Sequence, residues 1–135
     1  RRANALESVH PKVLVSVHAN AYGGGKRFTH PRGIETYYYG PSIGGERLAG
    51  LFQENLVQLT GWKNRGVRPG RYFIISHVDM PAVLTESGFY TNREQLEYLL
   101  DPNWRVRIAE AHVEAISEIE AMGPEFFQNY GGQSA

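Results

Sequence analysis

A run of β-branched and apolar side chains at residues 13–17 constrains the fold of this chain most strongly. The run reads Val-Leu-Val-Ser-Val and leads directly into His18. Apolar residues in nearly unbroken succession predict a strand that is buried on both faces, as interior strands of parallel sheets are. Side chains just past such a strand lie at the crevice where open α/β sheets place their ligands. The pattern therefore makes His18 a candidate functional residue.

A second stretch, residues 81–92, has the same organisation. A short apolar run ends in Glu86, and the sequence Ser-Gly-Phe-Tyr-Thr-Asn then turns away from it. If strands 13–18 and 82–86 are parallel neighbours, His18 and Glu86 project from the same edge of one sheet. We therefore expect a metal-type ligand and a candidate base to face one cleft.

Helical and extended patterns alternate along the rest of the chain. They predict a helix at 1–9, a loop at 19–33, strands at 34–39 and 71–76, an irregular link at 62–70, and helices at 42–59, after Asn92, and from Asn103 to about Met122. Gly61 is expected to cap the helix at 42–59, and Asn92 to cap the next with Gln95 as in a capping box. This alternation predicts an α/β fold with a mixed, largely parallel twisted sheet flanked by helices.

The last long helix is expected to bury one apolar stripe. That stripe comprises Ile108, Ala109, His112, Val113, Ile116 and Ile119. We therefore interpret His112 as a packed residue and not as a ligand.

Composition excludes several classes of function. Fourteen basic and fourteen acidic residues cancel, so no overall charge favours nucleic acid or an anionic membrane. No apolar segment approaches the roughly 20 residues of a membrane-spanning helix. Cysteine is absent, which leaves His and carboxylates as the strong metal ligands. A phosphate-binding glycine loop and a Gly-x-Ser-x-Gly elbow are absent as well.

Five segments together carry a resemblance to a known family. They are Ala3-Asn4, Ser16-Val17-His18-Ala19-Asn20, residues 33–40, Arg65-Gly66-Val67, and residues 81–92. In this order and spacing they are similar to the zinc-dependent N-acetylmuramoyl-L-alanine amidases, the amidase-3 family of bacterial cell-wall hydrolases and phage endolysins. The resemblance covers roughly residues 1 to 120.

The resemblance implies a zinc hydrolase that acts on peptidoglycan. Such an enzyme cuts the amide between N-acetylmuramic acid and the L-alanine of the stem peptide. His18 matches a zinc ligand of the family and Glu86 its catalytic carboxylate. Zinc would polarise the carbonyl and acidify a bound water, while Glu86 takes the proton of that water and passes it to the leaving amine. The implied location is secreted, periplasmic or at the cell wall, including a phage lysin that acts there.

Only one of the family's zinc ligands falls within the sequence. The others, a His and a Glu, would lie upstream of residue 1, and the first residues read as the end of a helix that is already running. The resemblance therefore implies that residues 1–122 are the C-terminal portion of a catalytic domain, incomplete at its N-terminus, followed by a tail at 123–135. The missing part of the domain would then be a partner of this chain. His30 or His77 could alternatively take a ligand position.

Candidate substrate-binding residues are Asn20, Arg32 and Asn92. Arg32 lies on the loop after His18 and could meet a peptide carboxylate, although an ordinary solvated loop explains it equally well. Asn20 could brace that loop, and Asn92 is first a helix cap.

Two other functions stay open at this point. One is a non-catalytic remnant that binds peptidoglycan without metal. The other is a zinc carboxypeptidase acting on the stem peptide, in which Arg32 or Arg71 would hold the terminal carboxylate.

Overall fold

The computed structural model describes residues 2–126, apart from the side chains of residues 2, 3 and 7. The elements in chain order are α1 (Arg2–Val9), β1 (Leu14–Asn20), β2 (Ile34–Tyr38), α2 (Ile43–Thr60), β3 (Asn64–Pro69), α3 (Phe73–Ser76), β4 (Ala82–Phe89), α4 (Arg93–Leu100) and α5 (Pro102–Met122). Most of the predicted tail lies outside the described residues. Its described part packs Phe126 into the core. Within residues 2–126, no helix is both long and apolar enough to cross a membrane.

Four strands form one mixed sheet with the order β1-β4-β2-β3. β1 and β4 are parallel, as are β2 and β3, whereas β2 and β4 are antiparallel. The predicted α/β fold with a mostly parallel sheet flanked by helices is confirmed. The predicted parallel pairing of strands 13–18 and 82–86 is confirmed too, with Leu14 opposite Ala82 and His18 opposite Glu86.

The strand that is buried throughout is β4, and not β1. Every residue of β4 is buried, while β1 is half-buried at its start and exposed at Val17 and His18. Among the described residues, β1 has β4 as its hydrogen-bonded neighbour and lies at an edge of the sheet. The expectation that β1 is buried on both faces is therefore wrong for this part of the chain.

Two neighbouring segments differ from the prediction. The predicted link at 62–70 contains a strand, and the predicted strand at 71–76 contains a short helix. Residues 73–76 form a single helical turn, closed by bonds from the amides of Ser76 and His77 to the carbonyls of Tyr72 and Phe73. The strand is β3, whose basic residues suggested a loop. Charges and a terminal proline are typical of edge strands, which explains why its pattern lacked an apolar run.

Capping residues fix the ends of the helices. Ser42 caps α2 through the Gly45 amide, and Gly61 ends it in the left-handed conformation, as predicted. Asn92 caps α4 as predicted, but Gln95 does not complete a capping box because its Oε1 accepts from the amides of Gly33 and Phe89. The sequence predicts that the last helix begins with Asn103 as its cap, but α5 begins one residue earlier and its cap is Asp101, whose carboxylate accepts from the Asn103 amide.

The buried face of α5 differs in part from the predicted stripe. The buried residues are Ile108, Ala111, His112, Ala115 and Ile119. Val113 is 59% exposed, and Ala109 and Ile116 are exposed as well. The prediction chose Val113 and Ile116 for their hydrophobicity, whereas the helical period places Ala111 and Ala115 on the buried face. His112 is packed as predicted, with Nε2 2.8 Å from Thr85 Oγ1 and Nδ1 2.8 Å from the Ile108 carbonyl.

The two faces of the sheet are covered differently. On one face α2 and α5 enclose the main core, which includes Leu48, Phe52, Val83 and Ala115. On the other face α3 covers a smaller cluster around Ile75 and Leu84. Alternation along the strands places Leu84 and Glu86 on the same face, so the polar residues that follow this cluster lie beside α3.

Gln53 on α2 attaches that helix to β2. Its Nε2 donates to the Ile34 carbonyl and to Asn64 Oδ1, both at 2.8 Å, and its Oε1 accepts from Thr36 Oγ1 at 2.9 Å. Gln53, Ile34 and Thr36 are all buried. The side chain therefore satisfies polar groups that water does not reach.

We expect Gln53→Leu to lower the free energy of unfolding by about 2–4 kcal/mol, because it leaves buried polar groups of Ile34 and Thr36 without partners. Gln58→Leu, on the exposed face of the same helix, is the control and should change stability by less than about 0.5 kcal/mol. Urea denaturation of both variants measures the difference. Equal losses in the two variants would contradict this role of Gln53.

Candidate active site

His18, Glu86 and Glu35 lie in one row across three strands. His18 on β1 is opposite Glu86 on β4, and Glu86 is opposite Glu35 on β2. Side chains of directly paired residues leave the same face of a sheet, with Cβ atoms about 5 Å apart. The sheet therefore presents an imidazole and two carboxylates side by side, on the face that also carries α3.

Glu86 is a buried carboxyl group without a full set of partners. It is 7% exposed, and its Oε2 has no hydrogen-bond partner among the described residues. Burial, and then the negative charge of Glu35, raise the pKa of Glu86 to about 7. A carboxyl group with a pKa near neutrality can both accept and release a proton under physiological conditions.

Glu35 is equally buried but fully paired. Its Oε1 accepts from Asn20 Nδ2 at 2.6 Å and from the Tyr37 hydroxyl at 2.7 Å, and its Oε2 accepts from Arg65 Nε at 3.0 Å. Burial alone raises the pKa of Glu35, but the hydrogen bonds from Tyr37, Arg65 and Asn20 outweigh it and lower that pKa below its usual range.

The two carboxyl groups thus lie on one face of the sheet with pKa values shifted in opposite directions, lowered for Glu35 and raised for Glu86. Three hydrogen-bond donors, from Asn20, Tyr37 and Arg65, favour the charged form of Glu35, and that negative charge disfavours a second one on Glu86. Pairs of titratable groups whose surroundings separate their pKa values mark acid and base roles in enzymes.

A bulge follows Glu86 and turns the chain. The pairing of β1 with β4 shifts register between His18 and Asn20, which lies opposite Phe89. Gly88 sits within this bulge at a φ of +93°, and a side chain there would collide with the Trp62 ring. Bulges of this kind re-aim side chains beside active sites.

His18 is exposed and lies next to Ser16. Its Nε2 is 2.7 Å from Ser16 Oγ. Among residues 2–126, no group of three or more His, Cys, Asp or Glu side chains is arranged to hold a metal ion. Catalytic zinc normally takes three protein ligands. The described residues therefore do not form a complete zinc site.

The other predicted site residues lie in different places. Asn20 belongs to the site through Glu35. Asn92 caps α4 and donates to the His30 carbonyl at 3.3 Å, so it braces the loop. Arg32 lines a surface groove with Trp62, Lys63 and Glu94, none of which belongs to the row.

The two histidines considered as alternative ligands are apart from the row. The His77 ring stacks on Phe73 at 4.1 Å, at the end of α3. His30 is an exposed residue of the loop between β1 and β2. Neither belongs to a group that could hold a metal within the described part of the chain.

Sequence reasoning missed Glu35 and its partners Tyr37, Arg65 and Arg68 as site residues. Glu35 stands in a predicted strand between Ile34 and Thr36. Because a carboxylate is rarely buried without a partner, its place within an apolar and aromatic strand was the available signal. Its cationic partners come from β3, which the sequence did not reveal as a strand.

The fold matches that of a solved amidase catalytic domain. The structure superimposes on the catalytic domain of CwlV, an N-acetylmuramoyl-L-alanine amidase from Bacillus (Paenibacillus) polymyxa var. colistinus, with a TM-score of 0.78 and 30% sequence identity. The match covers 89% of this chain and 64% of that chain.

The sequence places the chain in a particular family. The family model described as N-acetylmuramoyl-L-alanine amidase (amidase-3) matches residues 1–118, and the chain belongs to this family. It is 36% identical over 107 residues to an uncharacterised cell wall amidase of Bacillus anthracis, which covers 73% of this chain and 19% of that protein. It is 34% identical over 125 residues to an endolysin of Bacillus phage SPP1, which covers 88% of this chain and 43% of the endolysin. The chain thus spans less than half of the length of either relative.

We expect Glu86→Gln to raise the free energy of unfolding at pH 8 by about 1–3 kcal/mol, because it removes a charge that the buried position disfavours. The pKa of Glu86 is raised in the folded state, from 4.5 to about 7. The wild-type protein therefore gains stability from the neutral Glu86 carboxyl group at low pH. This contribution is lost as the pH rises through about 7 and the group ionises. The advantage of the variant should consequently vanish near pH 4.

Urea denaturation at pH 4 and pH 8, with a chelator present, measures this difference. Glu114→Gln, at an exposed position of α5, is the control and should show no such pH dependence. A Glu86→Gln protein that is less stable than the wild type at pH 8 would contradict the raised pKa.

Proposed function

We propose that the protein hydrolyses the amide bond between N-acetylmuramic acid and L-alanine in bacterial peptidoglycan. The observation that carries this proposal is the buried, unpaired carboxyl group of Glu86, in register with His18 on the neighbouring strand. Membership of the amidase-3 family supports the same reaction.

Glu86 is the proposed catalytic acid and base. Its unpaired Oε2 is available to accept a proton from the attacking water, and the protonated carboxyl group can then donate that proton to the leaving amine. Its pKa near 7 suits both steps at neutral pH.

His18 is the proposed zinc ligand within this chain. Its side chain is an exposed imidazole, a type of ligand that zinc prefers, and it lies beside Glu86. Since the described residues do not complete a zinc site, we derive no catalytic step through the metal.

We further propose that residues 1–122 form the C-terminal portion of the catalytic domain, with residues 123–135 as a tail. The remaining zinc ligands would come from a segment that precedes residue 1. The 64% coverage of the CwlV chain supports this division. The expected place of action is the cell wall, reached by secretion or as a phage lysin, since the relatives are a cell wall amidase and an endolysin.

The two alternative functions gain no support from the geometry. Arg71 is exposed, and Arg32 lies in a groove outside the row. A carboxypeptidase would need one of them beside Glu86. A non-catalytic remnant gives no reason for an unpaired buried carboxyl group, which costs stability without a function.

We expect Glu86→Gln to slow hydrolysis of cell walls by about 10²–10⁴-fold, the usual contribution of a general acid or base. The assay uses the full-length gene product that contains these residues, supplied with zinc, and follows the release of L-alanine amino termini. Glu114→Gln is the matched control and should keep the wild-type rate.

Three results would each contradict this function. The first is an unchanged rate in Glu86→Gln. The second is a wild-type enzyme that releases carboxyl-terminal amino acids, as a carboxypeptidase does. The third is a wild-type protein that binds walls without zinc and hydrolyses nothing.

We expect His18→Ala to weaken zinc binding more than about 100-fold, since even the loss of a residue that only supports a ligand costs roughly 10–100-fold. The zinc content of the same full-length product, measured by elemental analysis after dialysis, gives the comparison. His30→Ala is the control and should retain the metal. Equal zinc in the two variants would show that His18 is not a ligand.

A further inference from the structure

Two arginines of the edge strand β3 converge on a single carboxylate oxygen. Arg65 Nε lies 3.0 Å and Arg68 Nε 3.5 Å from Oε2 of Glu35. One negative charge therefore faces two positive charges. The excess positive charge lies on the same side of the sheet as the proposed catalytic residue Glu86, with β2 between them.

The arginine side chains are held in place, yet their hydrogen-bonding capacity is only partly used. Arg65 is bound at Nε, and its guanidinium lies 4.9 Å from the centre of the Phe89 ring. Within the described part of the chain, its two terminal nitrogens have no acceptor. Arg68 donates weakly from Nε and Nη2 to the Arg65 carbonyl at 3.4 Å, and its side chain is 48% exposed.

A preorganised guanidinium with free terminal nitrogens suits a planar anion. Arginine presents parallel N–H groups that match both oxygens of a carboxylate. Because the two like charges repel each other, a second carboxylate beside Glu35 would relieve that repulsion as well as accept hydrogen bonds.

The sheet sets the distance between this group and Glu86. β3 and β4 are separated by β2, and neighbouring strands lie about 4.8 Å apart, so the backbones of Arg65 and Glu86 are roughly 10 Å apart. A peptide residue spans about 3.3–3.6 Å. A carboxylate on the second or third residue from the scissile bond would therefore reach the arginines.

We propose that Arg65 and Arg68 form a subsite for a carboxylate of an acidic peptide. This inference rests on the proposed function, because it assumes that the bond to be cut lies at Glu86. The subsite determines specificity by favouring stem peptides whose carboxylates are free over peptides in which they are amidated.

The test is a binding measurement that needs no hydrolysis. Two peptides are titrated into the full-length gene product by calorimetry: L-alanyl-γ-D-glutamyl-L-lysine with free carboxylates, and the same peptide with every carboxylate amidated. We expect the free form to bind wild type about tenfold more tightly, which corresponds to one charge-assisted hydrogen-bonded pair.

Arg68→Gln should reduce this preference to about twofold or less, because it removes the exposed fork without breaking the bond between Arg65 and Glu35. Lys63→Gln is the matched control, since it removes one exposed positive charge just before the same strand. The control should keep the full preference. Urea denaturation of each variant verifies that it is folded.

Three results would overturn the subsite. They are equal binding of the two peptides by the wild type, equal loss of preference in Arg68→Gln and Lys63→Gln, and no detectable binding of either peptide. If the preference depends on Arg68 but walls release no L-alanine amino termini, the subsite stands and the proposed hydrolysis fails. The two proposals can therefore fail separately.

Discussion

The ion pair between Glu35 and Arg65 is the interaction on which the rest of the site depends. Together with the hydrogen bonds from Tyr37 and Asn20, it keeps the pKa of this buried carboxyl group below its usual range, although burial alone would raise that pKa. That charge acts on Glu86, the residue directly opposite on β4, and adds to the effect of burial in raising the pKa of Glu86 to about 7. Because β3 supplies the arginine, even the outermost strand contributes to the chemistry.

The same arrangement explains how stability and function oppose each other in this fold. β4 is buried along its whole length, which anchors Glu86 rigidly between β1 and β2. The cost is a carboxyl oxygen without a partner, in a place where an amide or an apolar group would be more stable. Such destabilising features are retained when the rest of the fold is stable enough and the group has a function. The core formed by α2 and α5 on the opposite face provides that strength.

Local sequence signals predicted those parts of the structure in which a few neighbouring residues decide the outcome. The run before His18, the run before Glu86 and the caps Gly61 and Asn92 are of this kind. Local signals could not predict the strand within 62–70 or the helix within 71–76. Edge strand β3 buries few side chains and so lacks an apolar run, whereas the apolar residues of α3 form a helical turn that packs on the sheet. Glu35 was not predicted as a site residue for a related reason. Its partners Asn20 and Arg65 are distant in sequence and contact it only because of the order of the strands. Burial of Ala111 in place of Val113 likewise reflects the position of α2.

The most direct test of this account is the titration of the Glu86 carboxyl carbon by NMR, in the wild type and in Glu35→Gln, with a chelator present. The account predicts that the wild-type resonance titrates with a midpoint near pH 7, and that loss of the Glu35 charge moves this midpoint downwards. Exposed Glu114 in the same spectra provides an internal reference. A wild-type midpoint near the usual 4.5, or one unchanged in Glu35→Gln, would contradict the claim that burial and the charge of Glu35 together raise the pKa of Glu86.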